Sequence, residues 1–197
     1  LTDSKEDADR VRKWSTQSRE PAPWYQHEEI GYNYRMSNVI AGVVRGQLPH
    51  LEEHIAQKRA IYERYKAGLA GLPVQMNPYD AANSVPNFWL SCMIIDESAI
   101  GEGRGKATPA KILESISAMN AEGRPIWKPM HMQAISRMSP FVVADGNGRG
   151  RTNAYINEIA VDVGADIFSR GCCLPSDNKM TVEEQDIVID IIRRCFS

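Results

Sequence analysis

A chain of 197 residues, 43% hydrophobic and 24% charged, can bury a real core and has ordinary soluble globular composition. Its formal net charge of −2 removes the electrostatic drive of a typical nucleic-acid binder, and no apolar run approaches a membrane span. Cys92, Cys172, Cys173 and Cys195 fit neither a zinc site nor a disulfide framework, so they read as reduced thiols of a cytoplasmic protein.

Leu1 and Thr2 read as the end of a strand. Asp3 or Ser4 caps a helix over residues 5–16, with Ala8, Val11 and Trp14 on one face. Two prolines make residues 20–25 an irregular loop, which continues into the stretch Gly31-Tyr32-Asn33-Tyr34-Arg35-Met36-Ser37. Asn33 both donates and accepts hydrogen bonds, and Arg35 presents a permanently charged planar fork. Tyr32 and Tyr34 offer flat apolar faces. The set suits a phosphorylated ligand, and it equally suits a well-satisfied structural loop.

Ser37 caps a stripe of Ile40, Val44, Leu48, Leu51, Ile55, Tyr62, Tyr65 and Leu69 at helical spacing. Pro49 lies inside it, lacks the N–H that would reach the carbonyl of Arg45, and crowds that turn. Two arrangements are open: one long kinked helix bridging two domains, or two successive helices with a tight corner. Gly71 to Pro73 ends the stripe.

Residues 87–95 (NFWLSCMII) read as the clearest strand. Thr108 and Pro109 start a helix whose buried face is Ile112, Leu113, Ile116 and Met119. Residues 126–133 are extended around Pro129, and Phe141 to Ala144 is a short strand before the turn residues Asp145 to Gly148. Residues 152–168 are expected to be helical. Thr181 and Glu184 make a capping box for a last helix with Ile187, Val188, Ile191 and Ile192 inside. Helices interleaved with a few strands from residue 50 onward give an α+β layer.

Other chemical signals are weaker. Gly101 to Lys106 follows a strand and precedes a helix, but Ile100 and Ala107 stand where a phosphate loop needs Gly and Ser or Thr. The run Asp145 to Arg151 puts two arginines on a glycine-rich turn, an anion site or a solvated hairpin tip. His131 sits between two methionines and reads as a core histidine before a catalyst. His50 and His54 are one turn apart with no third ligand, so no metal site is expected. No nucleophilic triad or carboxylate pair stands out.

The stretch His27 to Leu48 resembles the signature of the DegT/StrS family of sugar aminotransferases. Gly31, Asn33, Arg35, Met36, Ser37, Gln47 and Leu48 carry the likeness. It continues through Arg59 and Tyr65, through Trp127-Lys128-Pro129-Met130-His131-Met132-Gln133, and through Gly171, Leu174-Pro175-Ser176 and Met180-Thr181. Ser15-Thr16-Gln17 and Arg19-Glu20-Pro21 are similar to the branch that aminates UDP-linked 4-keto-6-deoxy sugars for glycosylation. Two features depart from it: Gln133 is followed by Ala134 rather than proline, and the segment from Asp145 to Tyr155 is longer than in many relatives.

The resemblance implies an α/β pyridoxal-phosphate transferase of the aspartate-aminotransferase type, fold type I. Residues 1–48 would end the large domain and carry the dimer-interface loop. Residues 49–197 would be the small C-terminal α+β domain. It implies a cytoplasmic homodimer that takes an amino group from glutamate, with no nucleic-acid or membrane partner. Asn33 and Arg35 would bind pyridoxal 5'-phosphate, Asn33 reaching across the dimer to the cofactor phosphate. Tyr32, Lys128, His131 and Arg149 would contact the nucleotide sugar. The Schiff-base lysine of this family lies upstream of the Gly-x-Asn-x-Arg run, so the chain is expected to be the C-terminal half, inactive by itself. Two other readings stay open: a non-catalytic small-domain or dimerisation module, and a sugar dehydratase of the same family.

Overall fold

The computed structural model describes residues 1–136, 140–142, 149–151 and 162–197. The expected turn at Asp145 to Gly148, the end of the expected strand at Ala144, and residues 152–161 of the expected helix lie outside them. The described residues form two compact units, Leu1–Leu51 and Glu52–Ser197.

In the first unit, helix α1 spans Lys5–Trp14, and Ser4 caps it by accepting from the Asp7 N–H at 3.2 Å. Glu6 and Asp7 lie in the first turn, Arg12 and Lys13 in the last, each sign matched to the helix dipole. The helix stops before the expected Thr16. The Ser15 and Thr16 hydroxyls turn back onto the Arg12 carbonyl, and Gln17 and Ser18 take left-handed φ values of 66° and 52°. Leu1 and Thr2 are irregular and not the end of a strand. Helix α2 spans Asn38–Gln47, with Ser37 accepting from the Ile40 N–H. It buries no residue; Val39, Ile40, Val43 and Val44 are all exposed.

Pro49 acts as its chemistry requires. A 3₁₀ turn, Leu48–His50, separates α2 from helix α3, Leu51–Gly68, so the stripe is two successive helices.

The second unit is built on a four-stranded antiparallel sheet of β1 (Val74–Met76), β2 (Ser91–Ile95), β3 (Arg124–Pro125) and β6 (Gly171–Leu174). Their order is β1-β2-β6-β3. A separate hairpin pairs β4 (Pro140–Val142) with β5 (Arg149–Arg151). Among the described residues the unit also holds helices α4 (Pro109–Ser117), α5 (Val163–Arg170) and α6 (Val182–Cys195). Met93, Ile95, Cys172 and Leu174 of the sheet meet Tyr65 of α3, Ile112 and Ile116 of α4, and Val188 and Ile192 of α6 in one core. Each such fully buried aliphatic side chain is worth about 1.5–3 kcal/mol.

Several expectations are corrected. Strand β2 begins at Ser91, not residue 87, because Phe88 adopts a φ of 52° and turns its ring into the core, 5.1 Å from Tyr62. Helix α4 ends at Ser117 and Asn120 takes a φ of 59°, which leaves Met119 60% exposed and off the buried face. On α6 the buried stripe is Gln185, Val188, Ile189, Ile192 and Cys195, whereas Ile187 is exposed. The expected extension across 126–133 is broken by a 3₁₀ turn at Met130–Met132 behind Pro129. Gln185 is buried and its side-chain amide donates to the Ile61 carbonyl at 2.7 Å, tying α6 to α3.

Candidate functional site

The loop after α1 folds back as a short ladder. The Gln17 N–H donates to the Tyr32 carbonyl at 3.1 Å, the Tyr32 N–H to the Trp14 carbonyl at 3.0 Å, and the Tyr34 N–H to the Ser15 carbonyl at 3.1 Å. Isolated bridges pair Thr16 with Asn33 and Arg19 with His27. Gly31 is required here because a Cβ would sit 2.3 Å from Ser18 Oγ and 2.4 Å from the Ser18 nitrogen. The Lys13 ammonium pairs with Glu20 at 2.5 Å and Glu29 at 3.0 Å. These bonds raise the Lys13 pKa, and bonds from Trp14 and then Lys13 hold the Glu29 carboxyl below its usual range.

This scaffold presents Asn33 and Arg35 to solvent. Asn33 Oδ1 accepts from the Arg35 N–H at 3.2 Å, an Asx turn. Its acceptor is thereby used internally, and the amide nitrogen and the Arg35 guanidinium remain as donors. That donor set fits a phosphate or carboxylate and not a cation. Tyr32 and Tyr34, which alternate with Asn33 and Arg35 along the chain, pair their exposed rings with centroids 5.7 Å apart.

The second unit holds the other candidates. Lys128 is exposed, and its carbonyl accepts from the Gln133 amide at 3.4 Å. His131 is different: its side chain is 8% exposed, and Nε2 lies 2.5 Å from Asp162 Oδ2. Asp162 also caps α5 by accepting from the Ala165 N–H at 2.9 Å. Burial alone would raise the Asp162 pKa; the bonds from Ala165 and His131 outweigh it and hold the carboxyl below its ordinary value. The pair therefore fixes the Trp127-to-Gln133 segment against the start of α5. Arg149 opens β5, its backbone opposite Val142.

Trp127 packs against Trp89 with ring centroids 5.7 Å apart, and both are exposed, an apolar platform beside Lys128. A cleft of about 770 Å³ runs past Trp127, Lys58, Arg124, Cys173, Lys179 and Met180. Lys58 is bonded to the Ser176 carbonyl. Among the described residues no group of three or more His, Cys, Asp or Glu could hold a metal ion. Tyr32, Asn33 and Arg35 thus share one loop, and Lys128 and His131 share another in the second unit. Sequence reasoning missed Trp89, hidden in the segment assigned to a strand. It also missed Asp162, although an Asp just before a helix start is a legible cap.

The fold of the described chain is that of the corresponding part of fold type I sugar aminotransferases. The structure of DesI in the presence of its TDP-sugar product superposes with a TM-score of 0.74 at 20% identity, covering 100% of this chain and 44% of that one. A DegT DnrJ EryC1 StrS aminotransferase from Brucella abortus superposes with a TM-score of 0.71 at 19% identity, covering 98% and 44%. The chain belongs to the DegT/DnrJ/EryC1/StrS aminotransferase family, whose model matches residues 1–193. It is 37% identical over 189 residues to EpsN of Bacillus subtilis, which carries the name of a pyridoxal phosphate-dependent aminotransferase. That match covers 95% of this chain and 43% of EpsN. It is 34% identical over 107 residues to GDP-perosamine synthase of Vibrio cholerae, 54% of this chain and 27% of that protein. The chain spans less than half the length of these relatives. Pyridoxal phosphate is the cofactor of the family.

Proposed function

We propose that this chain is the C-terminal part of a pyridoxal-phosphate aminotransferase that moves an amino group from glutamate to a nucleotide-linked 4-keto-6-deoxy sugar, with UDP as the nucleotide and a glycan precursor as the product. The observation that carries the reading is the Asx turn at Asn33, which spends the amide oxygen on Arg35 and leaves two donor groups facing solvent. When bound, the cofactor withdraws electrons from the carbon that bears the transferred nitrogen.

The residues of this chain bind and orient. The Asn33 amide donates to a cofactor phosphate oxygen, in the partner subunit of a homodimer. Arg35 supports the same phosphate or the carboxylate of glutamate. Tyr32 lines the sugar side, and Lys128 and Arg149 supply positive charge for the diphosphate. His131, held by Asp162, fixes the segment that carries Lys128 and borders the nucleotide sugar. Residues 1–48 belong with the large domain and residues 49–197 form the small domain. None of the eight lysines here is the one that bears the cofactor.

Asn33→Ala in the complete enzyme removes a hydrogen bond to a charged group, worth about 1.5–3 kcal/mol, so cofactor affinity should fall roughly 10- to 150-fold. Unchanged retention of pyridoxal phosphate, followed by absorbance during dialysis, would refute the role. Assay of 2-oxoglutarate release with UDP-, GDP- and TDP-linked keto sugars identifies the nucleotide; preference for GDP or TDP overturns the UDP assignment. Mixed with pyridoxal phosphate and borohydride, the present chain should show no specifically labelled lysine.

A further inference from the structure

Cys92 of β2 stands directly opposite Cys173 of β6. The Cys92 N–H donates to Asn77 Oδ1 at 2.9 Å, and its carbonyl accepts from the Asn77 N–H at 2.8 Å. Both backbone groups of one residue in an antiparallel strand point to the same neighbour, so neither faces β6. The two cysteines are therefore a non-hydrogen-bonded pair, the closely spaced kind, with Cα atoms about 4.5 Å apart. That separation lies inside the range of about 4.4–6.8 Å that a disulfide spans. The side chains share one face of the sheet, and the two Sγ atoms are 3.5 Å apart, with Cys92 donating to Cys173. The neighbouring Cys172 points to the opposite face, into the core, and Cys195 lies against Ser115.

We propose that Cys92 and Cys173 form an oxidation site, a dithiol that a hydroperoxide converts reversibly to an intrachain disulfide joining β2 to β6. Cys173 sulfur attacks one peroxide oxygen; an S–O bond forms, the O–O bond breaks, and the departing hydroxide takes a proton to leave as water. Cys92 sulfur then attacks the sulfenic sulfur; the S–S bond forms, the S–O bond breaks, and a second water leaves. Two thiols lose two electrons and hydrogen peroxide is reduced to two waters. A dithiol reductant reverses the step by exchange.

The surroundings favour this order of events. The hydrogen bond from Cys92 holds the Cys173 thiol below its ordinary pKa against the opposing effect of burial, and the Arg124 charge on β3 assists. Cys92 is shifted upward by the same bond, which suits the resolving partner. Burial pushes the Cys172 thiol up to about 12 and keeps it inert. Cys173 is 3% exposed but borders the cleft of about 770 Å³, the side from which a peroxide would approach, and Cys92 is half-buried.

The test treats the reduced chain, which carries four thiols, with one equivalent of hydrogen peroxide, then counts thiols and maps peptides without reduction. The thiol count should fall from four to two, with the peptides of Cys92 and Cys173 linked, and dithiothreitol should restore all four. Cys195→Ser should still form the link and Cys92→Ser should not. Should Cys173→Ser fail to fold, the half-buried Cys92→Ser carries the test alone. A bond to Cys172 or Cys195, a link between chains, a sulfinic acid on one cysteine without a link, or four unreacted thiols would overturn the proposal.

Discussion

Tyr65 is fully buried on α3, and its hydroxyl donates to the Pro175 carbonyl at 2.8 Å, just beyond the end of β6. Tyr65→Phe keeps the ring and deletes only that donor, leaving a carbonyl at the rim of the core without its partner. Leaving such a group unsatisfied costs about 1–2 kcal/mol. For a chain of this size the thermal midpoint should fall by roughly 2–8 °C. The same hydroxyl carries a pH signature. Burial raises the Tyr65 pKa above its ordinary 10.0, so the unfolded chain releases this proton before the folded one does. The stability is complete below pH 10 and is lost as pH climbs toward the folded value, with a limiting slope of about 1.4 kcal/mol per pH unit. Tyr62 is shifted the same way by burial and remains in the variant. Urea unfolding from pH 7 to pH 11 should therefore show the wild type losing stability above pH 10 more steeply than Tyr65→Phe. Parallel curves, or a variant as stable as the wild type at pH 7, would refute the reasoning.

Gly31→Ala forces a Cβ onto the backbone of Ser18, an overpacking that costs about 1–3 kcal/mol. It should raise amide exchange at Gln17, Tyr32 and Tyr34 while amides of Ile112 and Ile192 in the second unit keep their protection; unchanged exchange at Tyr32 would count against the ladder. Asp162→Ala removes the cap of α5 and the partner of His131, and should destabilise the chain by about 1–2 kcal/mol in urea. Because the Asp162 carboxyl titrates below its ordinary 3.8, that difference should be full above about pH 4 and vanish as acid protonates it. A difference that persists at pH 2 would place the effect elsewhere.

Helix starts were legible because capping is local chemistry. Ser4, Ser37, Thr108 and Thr181 each accept from an N–H three residues on, and each was readable within a window of four residues. Strands were not. β6 is four residues, Gly-Cys-Cys-Leu, buried on both faces, with no alternation to betray it. Phe88 looked like a strand residue, but contact with Tyr62 and Tyr79 holds it in a left-handed turn. The same division runs through the candidate site. The donors of Asn33 and Arg35 could be named from their side chains, whereas the need for glycine at position 31 depends on Ser18 lying against it. The setting of His131 depends on Asp162, thirty-one residues away, which no local pattern connects to it.

The register of β6 against β2 has a use as a folding clock. Side chains alternate faces, so a slip of one residue would set Cys172 opposite Cys92 and turn Cys173 toward the helices. A pulse of hydrogen peroxide during refolding, quenched by alkylation of the remaining thiols, would record each state as a distinct cross-link, Cys92–Cys173 for the native alignment and Cys92–Cys172 for the slipped one. Two adjacent cysteines, indistinguishable by composition, thereby become a built-in chronometer for when the central pair of strands locks into place.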